Sequence, residues 1–320
     1  MVRRKITLFI TAAILSIVTT ACGNNDSELA DSTAKADTKA SEELVIKHQL
    51  GETKVEKNPE TVVVFDFGVL DTLDQLGVEV KGVPQANIPS YLEEYKDGKY
   101  ENAGGLKEPD FEKISEMDPD VIIISGRQQD AYEELSEIAP TLFMRVDTAN
   151  YMESFTENTK TLGEIFGKEK EVETELYKLN ERVKAIQEVT ENSDKNGLVI
   201  LANEGNISAY GPGSRFGIIH DVFGVKPADD KIKVSDHGDT ISFEYILKKD
   251  PDFLFVVDRG AAVEGGQSSA KSIVENELVK KTNAYNNENI VYLDPNYWYL
   301  SGGGLVSVSE MINEIEEAIK

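Results

Sequence analysis

The chain has 320 residues, of which 58 are acidic and 33 are basic, so its formal net charge is −25. This balance argues against nucleic acid as a partner, because the phosphates would be repelled. The single cysteine, Cys22, excludes an internal disulfide.

The N-terminus has the features of a bacterial export signal. Basic residues at positions 3–5 precede an apolar run, Ile6 to Val18, that is too short to span a membrane. A small residue precedes Cys22, as in lipoprotein signals, although Thr19 stands where leucine is usual. We therefore expect a signal peptide over residues 1–21 and lipidation of Cys22. The alternative is an ordinary secretory signal with an incidental cysteine.

Residues 22–43 contain no aromatic residue, which predicts a disordered tether. Beyond them, apolar runs and helical periodicities alternate along the chain. The predicted strands are Leu44–Leu50, Thr53–Val55, Thr61–Phe65, Val121–Ser125, Thr141–Val146, Leu198–Ala202, Ile207–Tyr210, Phe253–Val257 and Ile290–Leu293. The predicted helices outside the centre of the chain are Leu70–Leu76, Phe111–Met117, Tyr132–Ile138, Phe216–Val222, Phe243–Lys248 and Leu305–Ile319. This alternation predicts mainly parallel sheets covered by helices on both faces.

The centre of the chain, residues 151–190, has apolar residues at helical spacing and no proline. It predicts one long helix, or two joined near Gly163–Gly167. The expected organisation is an N-terminal lobe over residues 44–150, this linking helix, and a C-terminal lobe over residues 191–320. A helical link would be stiff, so a ligand cleft between two Rossmann-like lobes would be largely preformed.

One pattern occurs twice. Residues 111–127 and 243–259 share Phe, Glu, Ile, then Asp-Pro-Asp, and a terminal arginine. Each predicts a short helix, a turn, a buried strand and an arginine just after the strand, Arg127 in one case and Arg259 in the other. Ligands of open α/β sheets bind at the carboxyl ends of strands. The repeat therefore indicates two similar lobes that face a shared cleft.

Arginine is scarce beyond the signal, and a third one, Arg215, lies in a glycine-rich loop after a strand. The planar guanidinium matches anionic groups and stacks on aromatic rings. We expect Arg127, Arg215 and Arg259 to point into one crevice and bind a ligand. The alternative is that each pairs with a nearby carboxylate.

Three further features are candidates for the site. The loop after Leu293 carries Trp298 between Tyr297 and Tyr299 and continues into Gly302–Gly304, which precedes a helix. An aromatic ligand would cover these rings, and the helix start would suit an anion. The alternative is an aromatic cluster that packs the lobes together. His237 lies in a polar loop and could face the ligand, or could simply be a surface residue.

Catalytic signatures are weak. The chain has no nucleophile elbow, no phosphate-binding Walker loop, no dinucleotide fingerprint, and only three histidines. Glu112 and Glu244 begin equivalent helices, where an acidic residue also stabilises the helix dipole.

The chain resembles the siderophore-binding lipoproteins of bacterial ABC importers, and within them the petrobactin-type receptors. The features that carry this resemblance are the lipoprotein signal, the repeated motif, the three arginines and the Trp298–Gly304 stretch. The resemblance covers nearly the whole chain. It implies a non-enzymatic monomer without cofactor, lipid-anchored on the outer face of the cell membrane. It would bind a ferric catecholate or mixed catecholate–carboxylate siderophore and deliver it to an ABC permease with its cytoplasmic ATPase. The resemblance further implies ligand contacts from Arg127, Arg215, Arg259, Trp298, Tyr299 and His237, iron contacts from His237 and Tyr299, and permease docking through Glu112 and Glu244.

Two alternatives remain open. The same architecture could bind haem or a corrinoid, but neither ligand has the negative charge that three arginines would match. A secreted α/β hydrolase would belong to a different class and would need catalytic residues that the sequence does not display.

Overall fold

The computed structural model of the protein describes residues 42–263 and 270–320. The predicted signal peptide, Cys22 and residues 22–41 of the predicted tether lie outside the described residues. Strand β1 already begins at Glu43, the last residue assigned to the tether, because it pairs with β2 in an antiparallel hairpin.

The described chain alternates strands with helices from end to end. The strands are β1 Glu43–His48, β2 Gly51–Glu56, β3 Val62–Val64, β4 Gly82–Val83, β5 Glu101–Asn102, β6 Val121–Ile124, β7 Thr141–Phe143, β8 Asn196–Asn203, β9 Asn206–Tyr210, β10 Lys226–Pro227, β11 Asp239–Ile241, β12 Phe253–Asp258 and β13 Ile290–Leu293. The α-helices are α1 Phe67–Gln75, α2 Phe111–Glu116, α3 Tyr132–Ile138, α4 Tyr151–Ile165, α5 Glu169–Glu191, α6 Ile218–Asp221, α7 Phe243–Lys249, α8 Arg259–Val263, α9 Ala270–Val274, α10 Asn283–Asn286 and α11 Leu305–Ala318. A π-helical turn spans Asn296–Ser301, and 3-10 helices span Ser90–Lys96, Gly126–Ala131, Thr148–Asn150 and Val279–Lys281.

The N-terminal sheet has the strand order β5-β4-β3-β6-β7, and all of its pairs are parallel. Its central strands are apolar at every position, since alternate side chains enter different cores. Val62, Val64 and Ile123 pack with α1, whereas Val63 and Ile122 pack on the opposite face with α2 and α3. A sheet buried on both faces is what a continuous apolar run predicts.

The C-terminal sheet has the order β11-β9-β8-β12-β13, with β10 also paired to β8. Strands β8, β12 and β13 are parallel, but β9 and β11 are antiparallel to their neighbours. The reason is local: only Glu204 and Gly205, both with positive φ, connect β8 to β9. A two-residue connection can join only antiparallel strands. The predicted α/β architecture with mainly parallel sheets is confirmed.

The link between the lobes consists of two helices, α4 and α5, and not of one long helix. Gly167 adopts a left-handed conformation with φ of 62° directly after α4. The N–H of Lys168 then donates to the carbonyl of Gly163 at 2.7 Å, which closes the end of α4. The break therefore falls within the Gly163–Gly167 stretch, the alternative that the sequence left open.

Helices α1 and α11 form a second junction between the lobes. Gly68 of α1 lies against the backbone of Gly303 and Gly304, at the start of α11. A Cβ on Gly304 would overlap both the side chain of Asp71 and the carbonyl oxygen of Gly68. This close approach requires glycine, so the contact between α1 and α11 depends on the absence of a side chain.

We expect the Gly304→Ala substitution to destabilise the fold by at least about 2 kcal/mol, because neither the backbone of α1 nor buried Asp71 can move away easily. Urea unfolding would measure this loss. Gly98→Ala is the matched control, since a Cβ at Gly98 meets no atom within 4 Å. Equal stability of the two variants would contradict the close packing described above.

Candidate functional site

Three arginines from both lobes converge on one residue, Tyr299. Arg127 follows β6, Arg259 follows β12, and Arg215 lies in the loop between β9 and α6. Nη2 of Arg127 and Nη2 of Arg215 each donate to the Tyr299 carbonyl at 2.7 Å. Nε of Arg259 donates to the Tyr299 hydroxyl at 3.0 Å. The three arginines therefore lie close together, as predicted, although Arg215 follows β9, an antiparallel strand whose end lies at the other edge of its sheet.

The remaining contacts of these arginines are also with uncharged groups. Nη1 of Arg127 donates to the Leu300 carbonyl at 3.1 Å, and Nη1 of Arg259 donates to Oδ1 of Asn203 at 2.8 Å. The guanidinium of Arg215 stacks on the Tyr299 ring, 4.2 Å from its centroid. None of the three forms an ion pair with a carboxylate of residues 42–263 or 270–320. No ion pair within those residues therefore neutralises their positive charge, although the carboxylate of Asp66 lies near enough to raise the pKa of Arg127 in part.

The other two arginines of the described residues have different surroundings. Arg182 of α5 pairs with Glu316 at 3.0 Å. Arg145, after β7, pairs with Asp236 at 2.8 Å and so connects the two lobes beside the cleft. The alternative that the sequence left open, pairing with a nearby carboxylate, therefore applies to these two and not to the three arginines around Tyr299.

The electrostatics of the cluster are strongly cationic. Burial lowers the pKa of Arg127, and the positive charge of Arg215 lowers it further. Burial alone would raise the pKa of Tyr299, but the charges of Arg215, Arg259 and Arg127, with the hydrogen bond from Arg259, lower it below its ordinary value. A group whose anionic form is favoured in this way marks a place where negative charge is stabilised.

We expect Tyr299 to ionise at a lower pH than the buried tyrosines, because burial raises the pKa of residues such as Tyr210, to about 12. An ultraviolet titration of the wild type against Tyr299→Phe would isolate its tyrosinate signal. Tyr210→Phe is the matched control, and it should remove signal only at the alkaline end. A Tyr299 that titrates together with Tyr210 would contradict the cationic environment.

Trp298 does not face the cleft, which corrects the prediction that its ring contacts a ligand. Its side chain is only 3% exposed and packs in the core of the C-terminal lobe with α11. Its indole N–H donates to Oε2 of Glu314 at 2.6 Å. The reason is the π-helical turn: successive side chains of a helix point in different directions, so Tyr299 faces the arginines while Trp298 faces the core.

The start of α11 is also occupied from within the protein. The backbone N–H groups of Val306 and Ser307 donate to the carboxyl group of Asp71, at 3.2 and 3.0 Å. The hydroxyl of Thr72 accepts from the N–H of Leu305 at 3.1 Å. The place that an anion was expected to take, at Gly302–Gly304 and the helix start, is therefore occupied by a side chain of α1.

Within the described residues, His237 forms no hydrogen bond or ring contact with the three arginines. It is exposed in the loop between β10 and β11, and its backbone N–H donates to Ser235 at 3.1 Å. Among the described residues, no group of three or more His, Cys, Asp or Glu side chains could hold a metal ion. An iron contact from His237 or Tyr299 stays a prediction, and only Tyr299 lies in the arginine cluster.

Glu112 and Glu244 are exposed, each in the first turn of its short helix, α2 in one lobe and α7 in the other.

Sequence reasoning missed Asn203, which ends β8 and bonds Arg259. The rule that located the arginines, polar residues at carboxyl ends of strands, would have found it. It also missed Asp71 and Tyr91, whose hydroxyl donates to Asp71 at 2.9 Å, because no local pattern gives a signal for either residue. Among the described residues, no helix combines the length and apolar character needed to cross a membrane.

The chain is similar in sequence to known siderophore-binding proteins of bacteria. The chain is 51% identical over 321 residues to the petrobactin-binding protein YclQ of Bacillus subtilis (strain 168), covering 99% of each chain. It is 32% identical over 277 residues to the ferric-anguibactin-binding protein FatB of Vibrio anguillarum, covering 85% of this chain and 86% of FatB.

Solved structures agree with the sequence matches. The crystal structure of YclQ superposes with a TM-score of 0.85 at 54% identity, covering 87% of this chain and 99% of YclQ. That of the catecholate-siderophore binding protein VctP from Vibrio cholerae superposes with a TM-score of 0.83 at 37% identity, covering 86% and 100%. The predicted resemblance to siderophore-binding proteins, petrobactin-type receptors among them, is confirmed. Residues 62–297 match the family described as periplasmic binding protein, to which this chain belongs.

Proposed function

We propose that this protein captures a ferric siderophore outside the cytoplasm and delivers it to an ABC permease for iron uptake. The observation that carries the proposal is the convergence of Arg127, Arg215 and Arg259 on Tyr299 with no carboxylate partner among the described residues. The siderophore class is a petrobactin-like catecholate or mixed catecholate–carboxylate. The names of YclQ and VctP support that class.

The chemistry of such a ligand suits the cluster. A ferric tris-catecholate is a compact trianion with flat, electron-rich rings. Guanidinium groups both neutralise such a charge and stack on such rings. Each charge-assisted hydrogen bond contributes roughly 1.5–3 kcal/mol, so three arginines can support tight binding even on a protein with a net charge of −25. In this proposal the siderophore supplies the iron ligands, and the protein needs no cofactor.

The rest of the proposal concerns where the protein acts. Lipidation of Cys22 anchors it to the outer face of the cell membrane, with residues up to 42 as a tether. It acts as a monomer and catalyses no reaction. Glu112 and Glu244, one on each lobe, contact basic groups of the permease and transmit the force that opens the cleft.

Titration with ligands of different charge tests the assignment. We expect a ferric tris-catecholate to bind with a Kd below about 1 μM, or about −8 kcal/mol. Haem and cobalamin, which lack the matching charge, should bind far more weakly. Trp298 is the only tryptophan and adjoins Tyr299, so the strongly absorbing ferric complex should quench its emission through space. Tight binding of haem or cobalamin, with no response to any ferric catecholate, would overturn the ligand class.

A further inference from the structure

The π-helical turn Asn296–Ser301 is held at several points. The N–H of Gly302 donates to the Tyr297 carbonyl at 2.7 Å, which closes the turn. The indole N–H of Trp298 donates to Glu314. The carbonyls of Tyr299 and Leu300 accept from the arginines, and the hydroxyl of Ser301 lies 2.7 Å from that of Tyr91. Four successive residues thus have partners on different elements, and π-helical turns are frequent at functional sites.

Asp71 holds one end of this turn. Its side chain is fully buried, and besides the start of α11 it binds the hydroxyl of Tyr91 at 2.9 Å. Tyr91 in turn contacts Ser301, so a continuous chain of hydrogen bonds runs from α1 to the turn. Burial raises the pKa of Asp71 to about 7, although the hydrogen bonds from Ser307 and Tyr91 oppose that rise. A buried carboxyl group with all of these partners is strongly constrained in position.

Glu314 holds the other end. From α11, its Oε2 accepts from Trp298, and its Oε1 accepts from the backbone N–H of Asp294 at 3.0 Å. Asp294 in turn accepts from the backbone N–H of Asn296 at 2.8 Å, at the start of the turn. Two carboxyl groups outside the cleft, one from each lobe, therefore constrain the segment that carries Tyr299.

The position of the Tyr299 carbonyl matters because it accepts from two guanidinium groups at once. Arg127 and Arg215 repel each other: burial lowers the pKa of Arg127 most, and the charge of Arg215 lowers it further. A shared acceptor at 2.7 Å from both offsets that repulsion and holds the pair together. If the turn moves about 1 Å away from the two guanidinium groups, both 2.7 Å bonds lengthen beyond hydrogen-bonding distance, and the two side chains lose their common partner.

We propose that Asp71 and Glu314 are positioning residues for ligand binding: they fix the turn at residues 296–301 so that Tyr299 keeps the three arginines assembled in the absence of ligand. This role rests on the proposed function of the cluster. In this role the two residues raise the affinity without contacting the siderophore, because binding to a preassembled site does not carry the entropic cost of ordering it.

The test uses Asp71→Asn and Glu314→Gln. In Asp71→Asn, the amide NH₂ would face one of the groups that now donate to the carboxyl group, so that hydrogen bond would be lost. In Glu314→Gln, the NH₂ would face the N–H of Trp298 or of Asp294 in the same way. We expect hydrogen exchange of the Gly302 amide to accelerate by about tenfold or more relative to amides of β12, through local opening of the turn. We also expect the Kd for a ferric catecholate to rise by about tenfold.

Arg182→Ala is the control for general loss of stability. It removes contacts to Glu316 and Ser309 between α5 and α11 but touches no residue of the turn. Its unfolding free energy should fall, while Gly302 exchange relative to β12 and the Kd should not change. If the carboxyl variants alter exchange and Kd no more than Arg182→Ala does, both residues are structural only and the proposal fails.

Ser301→Ala covers the case in which Asp71→Asn does not fold, since it removes only the hydroxyl that meets Tyr91. A smaller change in the same direction is expected, and no change in Gly302 exchange would overturn the role of Asp71. The exchange measurement needs no ligand. A wild-type protein that binds no ferric catecholate would therefore refute the proposed function while leaving the positioning test decisive.

Discussion

Replacing Arg215 or Arg259 with alanine should weaken binding of a ferric catecholate by about tenfold or more, which corresponds to about 1.4 kcal/mol. Both side chains are partly exposed, and their partners are uncharged: a carbonyl, a hydroxyl, an amide oxygen and an aromatic ring. The lost charge-assisted contact accounts for the effect. Isothermal titration calorimetry at fixed ionic strength would measure it.

Arg215→Lys separates charge from shape. Lysine keeps the positive charge but loses the planar fork and the stacking on Tyr299. Its affinity should fall between those of the wild type and Arg215→Ala. Arg127→Ala should weaken binding as well, and it should also destabilise the fold by about 1–3 kcal/mol, because the carbonyls of Tyr299 and Leu300 lose a buried donor.

Arg182→Ala is the matched control for this series, since it removes the same charge from the same kind of side chain. Arg182 binds Glu316 and Asn313 on α11 and none of the residues at the cleft. Its loss should therefore leave the Kd unchanged. If Arg182→Ala weakened binding as much as Arg215→Ala, the overall charge of the protein would explain the affinity, and the local cluster would not.

The second large effect concerns delivery. The double variant Glu112→Ala with Glu244→Ala should bind the ferric siderophore normally yet abolish iron uptake in cells that lack the wild-type protein. Both side chains are exposed and lie on separate lobes. Their loss should alter folding little, because each substitution removes only the interaction of an exposed carboxylate with its helix dipole. Uptake of radiolabelled iron, measured beside the Kd of the purified variant, separates the two steps.

Glu116→Ala with Glu173→Ala provides the comparison for the docking variant, because both residues are exposed glutamates on helices α2 and α5. This pair should transport normally. Full uptake by the Glu112 and Glu244 variant would refute the docking role, and a loss of binding in that variant would show that the residues act on the cleft instead.

Much of the architecture followed from local patterns. Helix α3 and strand β13 have the predicted bounds, Tyr132–Ile138 and Ile290–Leu293, because continuous apolar runs, proline and helical spacing act within a few residues. The positions of Arg127 and Arg259 were predictable too, because each follows a strand of a parallel part of its sheet and so emerges at the carboxyl edge. Arg215 follows β9, which is antiparallel to β8, so that rule does not explain its place in the cluster.

The local patterns did not predict how the cleft is built in detail. Trp298 and Tyr299 are neighbours with the same aromatic character, yet one enters the core and the other meets the arginines, since the π-helical turn sets their directions. Asp71 and Ser307 are 236 residues apart, and their hydrogen bond is what fills the start of α11.

Composition and spacing along this chain were therefore enough to predict two paired α/β halves and a cationic site, because burial and strand ends depend on short stretches of residues. Which aromatic ring faces that cleft, and which carboxyl groups fix its position, depended on contacts between distant segments. Those contacts form only when α1, the turn and α11 pack together, so no pattern confined to one segment records them.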